Sequence, residues 1–160
     1  MAKIEFDPSM LVNALTKAGI FEPLERAAVQ WSGYSLRSWA STDREGVPYI
    51  PTLLLTTIGR TTGELRSHAL FYLRDGRDFI IVASKAGSPT HPDWYRNIEE
   101  NAQAWVDVDR RRVPVRAEVL DDAERTRLWP ALVTMWPRYE DHQTKAAPRI
   151  VPVVRLRPIR

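Results

Sequence analysis

The 160-residue sequence contains no cysteine. That excludes disulfides, thiolate nucleophiles, cysteine-ligated zinc and iron–sulfur clusters. It also fits a reducing compartment. No stretch approaches the roughly 18 apolar residues of a membrane span. The opening Met1-Ala2-Lys3-Ile4-Glu5-Phe6-Asp7 is too acidic and polar for a secretory signal. The expected chain is soluble and cytoplasmic. There is no G-x-G-x-x-G, no Walker loop and no G-x-S-x-G elbow, which argues against the nucleotide folds and hydrolases those motifs mark. Histidine is scarce too. His68, His91 and His142 show no metal-ligand spacing, so no metal site is expected.

With 44% hydrophobic and 27% charged residues, the chain has the composition of a globular protein and not of a disordered one. Its length fits a single domain over 1–160. Within it, 1–49 reads as an N-terminal helical extension and 50–158 as the strand-rich core. The net charge of +3 suits an anionic small ligand. Basic residues are scattered among acids, without a stripe interleaved with aromatics, so nucleic acid is not an expected partner.

Residues 8–18 read as a helix, with Asp7 as N-cap and Pro8 in the first turn. A second helix runs from Phe21 to about Trp39, weak at Ser32-Gly33, and 41–50 reads as a polar loop. The apolar, β-branched run Thr52–Ile58 is a buried strand. Gly59 to Gly63 turns, Arg66 to Leu73 returns, Asp75-Gly76 marks a hairpin, and Asp78 to Ser84 is the third strand. Pro92 opens a helix to about Asn101. Ala104–Asp109 and Val113–Leu120 are strands turned by Arg110-Arg111. A capped helix then runs to about Trp136, with Leu128, Leu132 and Met135 at helical spacing. A short helix from Tyr139 to about Ala146 precedes a last strand, Ile150–Leu156. Hairpin-linked strands imply antiparallel pairing, hence an α+β, β-rich barrel or layer and not a doubly wound sheet.

Four motifs carry chemistry. Gly59-Arg60-Thr61-Thr62-Gly63 can wrap an anion with backbone N–H groups, two hydroxyls and the arginine forks of Arg60 and Arg66. Alone it reads more readily as a solvated hairpin turn. Val82-Ala83-Ser84-Lys85-Ala86-Gly87 offers small residues for close approach of a flat ring; its plainer reading is a strand exit. Pro92-Asp93-Trp94-Tyr95-Arg96-Asn97 could flank a ring, although a lone Trp is more commonly core. Trp136-Pro137-Arg138-Tyr139-Glu140-Asp141-His142 could roof a pocket or plug a barrel end.

Taken in order, these motifs resemble the deazaflavin-dependent nitroreductase family of actinobacteria. The resemblance rests on Leu54 to Gly63, Arg66, Asp75-Gly76, Val82 to Lys85, Pro92 to Asn97, Arg127 to Pro130, Trp136 to Tyr139 and Arg149 to Val154, and covers about residues 50–158. It implies a split β-barrel (FMN-binding split-barrel-like) with flanking helices, holding reduced coenzyme F420, an 8-hydroxy-5-deazaflavin with a phosphodiester and an oligoglutamate tail. By the same resemblance, Arg60, Thr61 and Thr62 hold the phosphate and Arg66 supports it. Val82, Ala83, Ser84 and Lys85 line the ring, and Trp94, Tyr95 and Asn97 lie along the cofactor. Tyr139 closes over the ring, with Trp136, Phe71 and His142 on the substrate side. Ala69, Phe71, Trp136 and His142 depart from the family pattern; Tyr139 keeps it.

The activity implied is hydride transfer to an electron-poor acceptor: a quinone, an enone or a nitro compound. Ser84, Tyr139 and His142 are the candidate catalytic residues, the first two steadying developing negative charge and His142 supplying a proton. A surface role for His142 is equally compatible with the sequence. The alternatives are an FMN- or haem-binding split barrel and a non-catalytic deazaflavin carrier. The apolar positions Leu11, Val12, Leu15, Ile20 and Phe21 leave the N-terminal helices open to burial, membrane-surface contact or a homodimer arm.

Overall fold

In the computed structural model, residues 7–160 are described, with the backbone alone at 43. The N-terminal reading of Met1 to Phe6 lies outside them. The described residues form six α-helices and one seven-stranded sheet, preceded by three helices where the sequence pattern gives two. Helix α1 is Pro8–Lys17, and Asp7 caps it by accepting the Ser9 N–H at 2.8 Å. Helix α2 is Phe21–Ser32. It stops at Gly33, which turns left-handed (φ 78°) and gives its amide to the Val29 carbonyl. Helix α3, Leu36–Glu45, restarts from Ser35, whose hydroxyl accepts the Ser38 N–H. The single helix expected over 21–39 is therefore two, and the expected loop is helical through Glu45.

The strands are β1 Thr52–Ile58, β2 Leu65–Phe71, β3 Leu73–Asp75, β4 Asp78–Val82, β5 Gln103–Val108, β6 Arg111–Val119 and β7 Val153–Pro158. They run antiparallel in the order β2-β1-β5-β6-β7-β4-β3. This curled α+β half-barrel is the expected fold class. The strand expected over 66–73 breaks at Tyr72, whose amide turns to the Pro51 carbonyl. Phe71 still pairs with Thr52, whereas Leu73 already pairs with Ile80 at the other edge of the sheet. The β5–β6 turn is Asp109-Arg110, both left-handed, one residue earlier than expected. The last strand starts at Val153, not Ile150: Pro152 has no N–H, and the Val151 amide goes to Gln143 Oε1. The third strand stops at Val82, because Ser84 turns into the right-handed helical region.

The helices α4 Asp93–Glu100, α5 Asp122–Met135 and α6 Arg138–Ala146 cover the sheet. Strand β4 is buried on both faces. Phe79 and Ile81 join Leu53, Leu55, Trp94, Ile98, Val106 and Leu156 inside the barrel. Ile80 and Val82 join Leu128, Leu132, Tyr139 and Val153 under α5 and α6. The end of β4 is thus fixed from two sides, and the chain leaving it carries the candidate ring-binding residues.

Leu55 is fully buried in the middle of β1. Leu55→Ala should lower stability by about 2–5 kcal/mol, read from the midpoint of urea unfolding.

Candidate active site

Past β4 the backbone turns sharply. Lys85, Ala86 and Gly87 all take positive φ (47°, 53° and 81°), a left-handed stretch costly for the first two residues. A part-buried cation holds it. The Arg149 guanidinium donates to the carbonyls of Ala83 (3.1 Å), Ser84 (2.9 Å) and Ser88 (2.6 Å). Burial lowers the Arg149 pKa, and these carbonyls offset its lost hydration. Gly87 also meets α6 closely: a Cβ there would lie 2.8 Å from Lys145 Cβ and 3.0 Å from the His142 carbonyl.

This turn and α6 flank a cleft of about 680 Å³. Its lining includes Phe71, Val82, Ser84, Lys85, Trp94, Trp136, Tyr139 and His142, so eight of the residues singled out in the sequence share one hollow. Three rings meet Trp136 edge-on: Phe71 at 5.0 Å, Tyr139 at 4.9 Å and His142 at 5.2 Å between centroids. His142 is buried, and its Nδ1 lies 3.0 Å from the Ser84 hydroxyl oxygen. Burial, and then the charges of Lys145 and Arg138, lower its pKa, while Asp141 acts weakly the other way. Burial raises the Tyr139 phenol well above its ordinary value.

A second hollow of about 620 Å³ adjoins the first across β2 and the start of α4. It is lined by Gly59, Arg60, Thr61, Thr62, Arg66, His68, Asp93 and Asn97. Asn97 ties the loop to the barrel. Its Oδ1 accepts from the Arg60 amide (3.2 Å) and Nη1 (3.0 Å), and its Nδ2 donates to Thr57 Oγ1 (3.1 Å). Arg60 also pairs with Asp93 at 3.1 Å, which holds the Asp93 carboxyl below the usual range. Arg66 pairs with Glu64 at 2.6 Å. Among the described residues, the amides of Thr61 and Thr62 have no protein acceptor. His68 Nδ1 is buried and unpartnered, and burial lowers its pKa.

Ala83 and Tyr95 sit behind these hollows. Ala83 is fully buried in the barrel core, and its contribution is its carbonyl. Tyr95 stacks on His91 at 4.6 Å, and burial, aided by Glu99, raises its pKa to about 12. Trp94 is both core and cleft wall.

Arg149 and Glu25 are among the residues that the sequence pattern did not single out. Arg149 stood in a quoted run without a role; its signal was a lone charge just before an apolar strand. Glu25 is fully buried and lines the ring cleft. It takes the Leu36 N–H at 2.8 Å and the Ser35 hydroxyl, so it fixes the start of α3. The signal was its place on the apolar stripe Phe21, Glu25, Val29. Among the described residues no group of three His, Asp or Glu side chains could hold a metal.

A curled antiparallel half-barrel, with an aromatic cleft beside a glycine-flanked loop, defines a split-barrel protein. The model of the F420H(2)-dependent quinone reductase family matches residues 35–158, and the chain belongs to that family. It is 38% identical over 107 residues to the F420H(2)-dependent quinone reductase Rv1261c of Mycobacterium tuberculosis, covering 65% of this chain and 71% of that one. The solved F420-H2 dependent reductase FDR-A superposes with a TM-score of 0.61 at 34% identity, covering 66% of this chain and 93% of that one. A structure described as a domain-swapped dimer matches over 93% of this chain and 98% of its own, with a TM-score of 0.61 and 28% identity. The coenzyme is the one expected from the sequence. The family name specifies a quinone acceptor, whereas the resemblance carried a nitroreductase label.

Gly87→Ala combines a positive φ with a contact too short for a Cβ. It should destabilise the protein by more than about 1 kcal/mol in urea unfolding and move the His142 ring resonances.

Proposed function

We propose that the chain binds reduced F420 across the two hollows, its phosphodiester on the Gly59–Gly63 loop and its ring on Val82, Ser84 and Lys85, and reduces a quinone under Trp136, Phe71 and Tyr139. Family membership supports the coenzyme and the reductase activity. The observation that carries the placement is the meeting of an aromatic cleft with a loop offering two unused amides, two hydroxyls and two arginines. The chemistry of these donors fits a phosphate. Asp93 and Glu64 hold Arg60 and Arg66 meanwhile, so the tail's negative charges replace carboxylates that are already exposed.

When bound, the coenzyme supplies a hydride. Reduction of a quinone to a hydroquinone takes that hydride, which carries both electrons, and one proton. The protein's part is to align the rings and deliver the proton. The Ser84 hydroxyl is poised at the cleft to donate to an acceptor oxygen and to recover a proton from His142 Nδ1–H. The imidazolium is the competent donor. The raised pKa of Tyr139 keeps its phenol protonated, able to donate a hydrogen bond to the reduced acceptor.

None of the described helices is long and apolar enough to cross a membrane. The exposed Met10, Leu11, Ile20, Leu24 and Trp31 of the N-terminal helices and their link support peripheral membrane contact. The domain-swapped neighbour supports a homodimer.

Fluorescence titration with F420H2 tests the placement. Arg60→Ala should weaken binding about tenfold or more, while FMN binds neither protein. Unchanged binding by Arg60→Ala removes the loop from the site. Turnover should fall as pH rises through the His142 pKa, which lies below its ordinary 6.5, because the donor form is populated only below it. His142→Phe should flatten that limb. A limb that persists assigns the proton to another group.

A further inference from the structure

Trp136 is the ring on which the acceptor side of the cleft is built, yet it sits on no regular element. It occupies the link between α5 and α6 in extended backbone (φ −144°, ψ 98°). Its ring therefore needs an anchor beyond its own helix, and α3 supplies one. The Trp136 indole N–H donates to Glu45 Oε2 at 2.9 Å. The other carboxylate oxygen, Oε1, pairs with Arg138 Nε at 2.6 Å. Both oxygens of one carboxylate are thus committed, one to the ring and one to the first residue of α6. Glu45 is the last residue of α3 and its side chain is only 17% exposed, so the bond is partly shielded from water. Behind it a groove of about 880 Å³, lined in part by Val12, Ala40, Glu45, Trp136 and His142, runs between the N-terminal helices and α6.

We propose that Glu45 is a positioning residue of the acceptor site. It sets the depth and angle of the Trp136 ring, and through the edge contacts of that ring it places Phe71, Tyr139 and His142. This gives α3 a part in choosing the acceptor: a fixed indole admits flat quinones of one thickness and width, and a released indole admits a wider set. The kinetic half of the proposal rests on the quinone reductase reading above; the structural half does not.

The test begins without coenzyme or acceptor. Spectra of protein carrying ¹⁵N-labelled tryptophan resolve the indole N–H groups, and Trp136→Phe assigns the one in question. Glu45→Ala should shift that resonance and speed its exchange with water by about tenfold, as expected for loss of a charge-assisted hydrogen bond. The other indole signals stay in place and report that the fold is intact. Glu45→Gln keeps an acceptor oxygen and should fall between; it also serves if Glu45→Ala unfolds.

In anaerobic assays Glu45→Ala should raise KM for quinones about three- to tenfold, the worth of an edge-to-face ring contact. It should alter the ratio of kcat/KM between one-ring and two-ring quinones and leave the Kd for F420H2 unchanged. In a Trp136→Phe background the same substitution should change nothing further. An unmoved Trp136 indole signal in Glu45→Ala, or an equal kinetic effect in both backgrounds, overturns the proposal. If the wild-type protein reduces no quinone, the function reading fails, and the indole exchange alone then decides whether Glu45 holds Trp136.

Discussion

One guanidinium organises the site. After β4 ends, the carbonyls of Ala83, Ser84 and Ser88 have no strand to pair with, and a buried unpaired carbonyl is costly. Arg149 meets all three. In doing so it holds Lys85, Ala86 and Gly87 in left-handed backbone. Lys85 and Ala86 thereby face the cleft, Ser84 comes within reach of His142, and α6 packs so closely that position 87 has no room for a side chain. Gln143 ties Arg149 back to α6 by donating to its carbonyl at 3.0 Å. The strain of the turn and the placement of Ser84 beside His142 are consequences of the same contact.

The rest of the molecule delivers two surfaces to that point. Strand β4, buried on both faces, gives a floor that cannot shift without disturbing two cores. Helix α4 presents Trp94 to the aromatic hollow and Asn97 to the basic loop, so one short helix sets the spacing between the two hollows. The loop is also balanced electrostatically. Arg60 and Arg66 each have an exposed carboxylate partner, which spares the protein an uncompensated cluster of positive charge.

Several strands were legible because punctuation bounds them: Gly59, Asp75-Gly76 and the charged turn expected at Arg110-Arg111, found one residue earlier, mark ends that hydrophobic pattern alone leaves open. Errors fell where tertiary contacts overrule local pattern. Tyr72 looks like the middle of a strand, but its amide is claimed by Pro51 and the sheet changes partner there. Helix α3 is too polar to stand out by periodicity; it exists because Ser35 and Glu25 cap its start. Eight of the cleft residues were found as a set, since their side-chain types carry the chemistry. Arg149 and Glu45 were not. Their roles depend on carbonyls and an indole far away in sequence, and an arginine or glutamate at a segment end reads from sequence as a solvated charge.

The account stands on the coenzyme lying across both hollows, ring to turn and phosphate to loop. A crystal structure of the protein soaked with oxidised F420 tests this most directly. The account predicts the ring against Val82, Ser84 and Lys85, with the phosphate within hydrogen-bonding distance of the Thr61 and Thr62 amides and Arg60. Density for the coenzyme elsewhere, or a ring cleft still filled by the protein's own side chains while the coenzyme binds another face, would contradict it.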